Sequence, residues 1–217
     1  MEGSDGPFEI LLTDCTNPDA NLALEWQLLR EVDAGLRPET LRLWVNDECL
    51  VRGPHRSRLT GWYREQCARE LEIPVYTRLT GGGCVYQDRG NLNWSFYLRR
   101  AGGFVAFSKL FRECAAWVIE ALRRLGIDAS FGAPNRIDVV GRKVSGLAAR
   151  ALRQATLVHG TLLIATNLER LEALCIPPPG CPPVGRICDF DSRLSLATVV
   201  ESIVSSTLTF NAGSSLD

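Results

Sequence analysis

The chain holds two lysines among its 24 basic residues, the rest being arginine. One of the two, Lys143, stands in Gly141-Arg142-Lys143-Val144-Ser145-Gly146. An ammonium is a compact point charge suited to a phosphate or carboxylate, whereas guanidinium is a planar fork. A lysine kept against such an arginine bias invites a chemical explanation, although alone it reads equally as a surface residue at a turn. A second cluster, Thr80-Gly81-Gly82-Gly83, precedes Cys84-Val85-Tyr86. Three successive glycines let backbone N–H groups approach an anion closely and cradle it. Arg78, just upstream, adds a positive charge, and Gln87-Asp88-Arg89-Gly90-Asn91 follows as a dense polar run. The third cluster is His159-Gly160-Thr161-Leu162-Leu163, where alternation puts His159 and Thr161 on one face and Val158, Leu162 and Ile164 on the other. His159 reads either as a general base or, favoured here, as an imidazole satisfied by a polar neighbour.

The elements that must position these groups follow from patterning. Residues 8–13 form a short apolar strand, and Asn17-Pro18-Asp19 opens a helix with Leu22, Trp26 and Leu29 on one face. Residues 41–52 read as one strand ending at Gly53-Pro54, 61–71 as a helix, and 73–77 as a strand. Leu92, Trp94, Phe96 and Leu98 alternate with Asn93, Ser95 and Tyr97, which predicts a half-buried strand. Phe104, Phe107, Phe111, Cys114, Val118, Ala121 and Leu125 mark the longest amphipathic helix, closed by Gly126. Strands at 137–140 and 144–150 are joined by a turn at Gly141-Arg142, and a third strand spans 156–165. Asn167 caps a short helix to Cys175, five prolines stiffen residues 177–183, and a last helix runs over 196–210. The fold class is α+β, a mixed, mostly antiparallel sheet packed with helices.

At 217 residues, 46% hydrophobic and 23% charged, the chain has the composition of an ordinary soluble domain. A net charge of −1 without a basic run argues against nucleic acid, and no apolar stretch is long enough for a membrane helix. The N-terminus shows no signal-peptide pattern, so the expected setting is cytoplasmic, where eight scattered cysteines stay reduced. The expected organisation is a single catalytic domain over 1–217 with flexible ends at 1–7 and 211–217.

Taken in order, these motifs resemble the catalytic domain of lipoate–protein ligases, within the biotin/lipoate ligase superfamily. The resemblance also takes in Asn21-Leu22-Ala23-Leu24-Glu25. It implies that lipoate and MgATP react to lipoyl-adenylate and pyrophosphate, and that the lipoyl group then passes to a lysine of a lipoyl-domain or H-protein-like acceptor. It implies further that Lys143 holds the acyl carboxylate and the adenylate phosphate. Arg78, Thr80, Gly81, Gly82, Gly83, Cys84, Val85, Tyr86, Asn91, Asn135, Ser145, Gly146, His159, Gly160 and Thr161 would form the substrate and nucleotide site.

The chain departs from the family at three points. The family's Arg-Asn-Asp appears as Pro134-Asn135-Arg136, leaving Asp138 to cover any Mg2+ role. Its Gly-Arg-x-Gln segment appears as Arg52-Gly53-Pro54-His55-Arg56. No C-terminal accessory domain is expected within the chain, so a separate accessory chain is one way to supply it. Two alternatives stand beside the ligase. One is an ATP-independent octanoyl or lipoyl transferase working through a cysteine thioester, with Cys84 as its candidate; the other is a non-catalytic lipoyl-binding relative.

Overall fold

The computed structural model describes residues 8–54, 62–99 and 106–211, with side chains through 206. In chain order the elements are β1 (Glu9–Thr13), α1 (Pro18–Asp33), β2 (Thr40–Trp44), β3 (Cys49–Arg52), α2 (Glu65–Glu70), β4 (Val75–Thr77), β5 (Cys84–Gln87) and β6 (Asn91–Arg99). There follow α3 (Phe107–Arg124), β7 (Ala129–Gly132), β8 (Arg136–Val139), β9 (Arg142–Ala151), β10 (Ala155–Leu163), α4 (Leu168–Leu174) and α5 (Leu196–Asn211). Seven strands make one sheet in the order β1-β2-β6-β10-β9-β8-β7, antiparallel except for β1 against β2. A second, three-stranded sheet has the order β4-β3-β5. The expected α+β class with a mixed, mostly antiparallel sheet is therefore observed.

The centre of the large sheet is β6. Its even residues Leu92, Trp94, Phe96 and Leu98 pack with Val118 and Leu122 of α3 and with Val199 and Ile203 of α5. Its odd residues face α1, where Tyr97 meets Leu28, Leu29 and Val32. Both faces are thus buried, not one, because helices cover the sheet on either side. The inward face of α1 also differs from the expected Leu22, Trp26 and Leu29 stripe. It carries Asn21, Glu25, Leu28, Leu29 and Val32, which have helical spacing but include two polar side chains.

Caps and turns follow from local chemistry. Asn17 Oδ1 accepts from Ala20 N at 3.0 Å to start α1, and Asn167 Oδ1 accepts from Arg170 N at 3.0 Å to start α4. The β8–β9 turn is centred on Val140 and Gly141, both at positive φ (47° and 73°), one residue earlier than expected. Positive φ at both central positions gives the turn a twist that matches its flanking strands.

The single strand expected over 41–52 is two strands in two sheets. Asn46, at the corner between them, replaces ladder bonds with side-chain bonds: its Nδ2 donates to Gln87 Oε1 at 2.7 Å, and its Oδ1 accepts from Asn21 Nδ2 at 2.9 Å. Strands β5 and β7 were not foreseen as strands. The helix expected over 61–71 is confined to Glu65–Glu70, and α3 starts at Phe107; Gly61 and Phe104 lie outside the described residues. Among the described residues no helix is long and apolar enough to cross a membrane.

Gly160 in β10 lies directly across from Trp94, and a Cβ there would stand 2.4 Å from Trp94 Cζ2. The indole is wholly buried, and Gly146 O lies 3.0 Å from the same Cβ position. Gly160→Ala is expected to lower stability by about 1–3 kcal/mol, the usual cost of overpacking a core. Chemical denaturation checks this; an unchanged midpoint would show that the indole yields.

Candidate active site

A cavity of about 850 Å³ opens between the two sheets. Lys143, Ser145 and Gly146 of β9 and His159, Gly160 and Thr161 of β10 form one wall; Gly81, Gly82 and Gly83 with Cys84, Val85 and Tyr86 of β5 form the opposite one. Lys143 is held by its backbone. Where β10 ends its pairing with β9 at Ser145, the proline-rich segment takes over the vacated ladder position. Lys143 N donates to Pro183 O at 2.8 Å, and Gly185 N donates to Lys143 O at 3.0 Å. Prolines lack N–H groups, so the strap attaches through one carbonyl and the N–H of the first non-proline able to reach. The side chain reaches over Gly146, where an added Cβ would lie 3.2 Å from Nζ. No carboxylate among the described residues pairs with this ammonium, and it looks into the cavity.

The glycine loop is braced, not free. Arg78 Nη2 donates to Gly81 O at 2.8 Å, Nη1 donates to Val51 O at 2.9 Å, and Nε donates to Thr80 Oγ1 at 3.0 Å. Gly82 takes φ 98°, a conformation that side-chain-bearing residues rarely adopt, with Arg78 Nη2 beside it. Thr80 lies behind the loop, off the cavity wall, and its hydroxyl is 2.7 Å from His159 Nε2. His159 Nδ1 in turn is 2.7 Å from Glu25 Oε1, which also accepts from Ser95 Oγ at 2.9 Å. Burial pushes Glu25 up, but contacts with His159, Ser95 and Arg42 outweigh it and hold the carboxyl below its ordinary range. With both ring nitrogens engaged, His159 matches the paired imidazole better than the free base.

Two further groups meet the cavity with unspent hydrogen-bonding capacity: the Ser145 hydroxyl, 1% exposed, and the Trp62 indole N–H, neither with a partner among the described residues. The Trp62 ring lies flat on Gly83, whose Cβ position would be 2.7 Å from Cε3. Trp62, Arg64 and Cys175 were not anticipated from sequence, since no local pattern marks them, and the prolines marked 177–183 as a stiff segment without placing it at the site. Glu25 had a signal, a carboxylate at helical spacing within the inward face of α1.

The other expected site residues fall elsewhere. Asn135 lines the cavity, and its side-chain amide donates to Leu147 O, pinning β9. Asn91 is fully buried, off the cavity wall, with neither amide atom partnered among the described residues. Asp88 caps backbone: Oδ1 accepts from Gly90 N at 2.9 Å and Oδ2 from Asn167 N at 2.8 Å. Asp138 is engaged by Arg136, whose Nε donates to Oδ2 at 2.8 Å. Among the described residues no three His, Cys, Asp or Glu side chains converge as a metal site. With Asp138 paired to Arg136, a Mg2+ ion here would take few ligands from the protein. His55 and Arg56 lie outside the described residues.

An unpaired ammonium facing a backbone cradle across a cavity of ligand size suits the joining of two anions. Comparison with known proteins places this arrangement. Residues 17–207 match the model of the lipoyl protein ligase A/B catalytic domain. The chain belongs to this family.

A putative lipoate-protein ligase A of Aeropyrum pernix is 37% identical over 170 residues, covering 77% of this chain and 62% of that protein. A crystal structure of lipoate-protein ligase A bound with ATP superposes with TM-score 0.78 at 26% identity, covering 93% of this chain and 83% of that one. A Thermoplasma acidophilum putative lipoate protein ligase with bound lipoic acid gives 0.77 at 25% identity, with the same coverage. A bi-partite lipoate protein ligase, described together with its E2 lipoyl domain from the same organism, gives 0.75 at 24% over 93% of this chain and 81% of that one. The glycine loop and Lys143, which line this cavity, both lie within the matched residues.

The cavity thiols give a check on the geometry. The neighbouring Cys175 thiol and burial push Cys84 up, while its Sγ lies 3.9 Å from Val85 O. The Cys84 thiol in turn pulls Cys175 down against burial, helped by Arg64 and Lys143. Iodoacetamide mapping at neutral pH should therefore modify Cys175 ahead of Cys84. Faster modification of Cys84 would overturn this order.

Proposed function

We propose that the chain is the catalytic part of an ATP-dependent lipoate–protein ligase. The lipoate carboxylate attacks the α-phosphorus of ATP, pyrophosphate leaves, and lipoyl-adenylate forms. The ε-amine of an acceptor lysine then attacks the acyl carbon, and AMP leaves with the bond electrons. The observation that carries this reading is the unpaired Lys143 ammonium, positioned by its backbone across a cavity from the glycine loop. Both steps develop negative charge on phosphoryl oxygens, and a preorganised cation and aligned backbone N–H groups stabilise it without reorganising. The apolar walls, including Val51, Val85, Leu163 and Ile176, suit the hydrocarbon part of the acyl group. Mg2+ belongs to this reading as a companion of the ATP phosphates, since such ions commonly ride on substrate phosphates with few protein ligands.

The acceptor in this reading is a lipoyl-domain or H-protein-like protein. The chain spans 62% of the length of the Aeropyrum relative, and the bi-partite archaeal ligase supports a reading in which a second chain completes the enzyme. A thioester route through Cys84 has less support, because a thiol pushed up is a poor nucleophile.

Purified protein mixed with lipoate, MgATP and a lipoyl-domain acceptor should add a lipoyl group to the acceptor only when ATP is present. Lys143→Ala should reduce adenylate formation by about 10²–10³-fold, the scale for removing one preorganised charge at a transition state. Modification from octanoyl-carrier protein without ATP would favour the transferase. Lipoate binding without turnover would favour a binding relative.

A further inference from the structure

The Thr80 hydroxyl ties together three separate parts of the chain. It accepts from Arg78 Nε at 3.0 Å and lies 2.7 Å from His159 Nε2, whose ring reaches Glu25 Oε1 through Nδ1 at 2.7 Å. Arg78 carries the connection to the backbone of Gly81 and Val51. Thr80 and Glu25 are 1% and 0% exposed, and neither lines the cavity. Any influence they have on a ligand passes through His159, Arg78 and the glycine loop.

Hydrogen counting defines what this chain of contacts can do. Thr80 has one O–H and two lone pairs, and the permanently charged Arg78 takes one lone pair. With His159 neutral and carrying its proton on Nδ1, that N–H donates to Glu25 and the Thr80 O–H donates to Nε2, so every partner is matched. With a second proton on His159, Nε2–H takes the remaining lone pair of Thr80. The Thr80 hydrogen, buried, then has no acceptor among the described residues. Glu25 on α1 favours the charged ring. Arg42 on β2 and Arg78 beside the loop oppose it, Tyr97 on β6 stays neutral through burial, and Lys143 adds a cation on the shared cavity wall.

We infer that Glu25, His159 and Thr80 form a proton-controlled latch that positions Arg78 and the glycine loop, closed when His159 is neutral and loosened when it takes a second proton. These are positioning residues. The inference rests on the ligase reading for its activity readout only.

The test uses the full chain with Thr80→Val, Thr80→Ser and Glu25→Gln, measuring amide hydrogen exchange at Gly81–Gly83 from about pH 5 to pH 8. Lipoate-dependent ATP–pyrophosphate exchange is followed in parallel. Thr80→Val should speed loop exchange and lower kcat about tenfold, the scale for one lost hydrogen bond in such a network, while Thr80→Ser stays near wild type. Wild-type loop protection, taken as exchange relative to the base-catalysed intrinsic rate at each pH, should fall on acidification, and Glu25→Gln should move that fall to lower pH, because the imidazolium loses its counter-charge. A Thr80→Val loop as protected as wild type, a Thr80→Ser loop as loose as Thr80→Val, or an unmoved onset in Glu25→Gln would each overturn the latch. Should Thr80→Val fail to fold, the other two variants decide. Wild-type protein without pyrophosphate exchange would sink the ligase reading, and the amide exchange would still judge the latch.

Discussion

A carboxylate carried into the space between a helix and a sheet loses its hydration, and it persists there as an anion only if other groups replace the water. Glu25 is in that position, fully buried under α1. Much of the surrounding architecture is its compensation. Ser95 and His159 hydrogen-bond its Oε1, and the Arg42 guanidinium adds a nearby positive charge. Arg42 is itself buried and is satisfied by Thr13 and Asn21 and by the face of Trp44, 4.8 Å from its centroid. The register of β6 against β10 and the seating of α1 are tied to the same requirement. Because His159 spends one nitrogen on Glu25, its other nitrogen is aimed at Thr80, and the demands of one buried charge reach the glycine loop.

A second constraint sets the lysine apart from the chain's many arginines. Arg78, Arg42, Arg136 and Arg64 are all engaged with backbone or side-chain acceptors inside the protein. Their fork-shaped heads suit several fixed acceptors at once. Lys143 alone among these cations is positioned through its backbone while its ammonium remains available at the cavity. The strap binds the lysine's backbone through the Pro183 carbonyl and the Gly185 N–H, so the lysine is anchored without its charge being consumed.

The corner at Asn46 brings these two systems face to face. By moving the chain from β2 in the large sheet to β3 in the small one, it gives the glycine loop a platform opposite β9 and β10. The buried amides of Asn21, Asn46, Gln87 and Asn93 stabilise the corner by bonding to one another, which is how polar groups are accommodated where ladder bonds stop.

Local chemistry was legible in the residues themselves. Asn17 and Asn167 announced helix starts, the apolar repeat from Phe107 announced α3, and the glycine loop, Lys143 and the His159 strand stood out by residue type and spacing. These signals lie within a few residues of one another, as caps, turns and periodicities do. The sequence by itself therefore determined most of the element types, though not strands β5 and β7, together with the α+β class and the three clusters that line the cavity. Tertiary structure alone decided that 41–52 divides between two sheets, that both faces of β6 are buried, and that Glu25 sits behind His159. It also decided that Arg78 braces the loop against Val51. Each of these depends on which distant group fills a buried hydrogen-bonding or charge requirement, and that is settled only when the chain is packed.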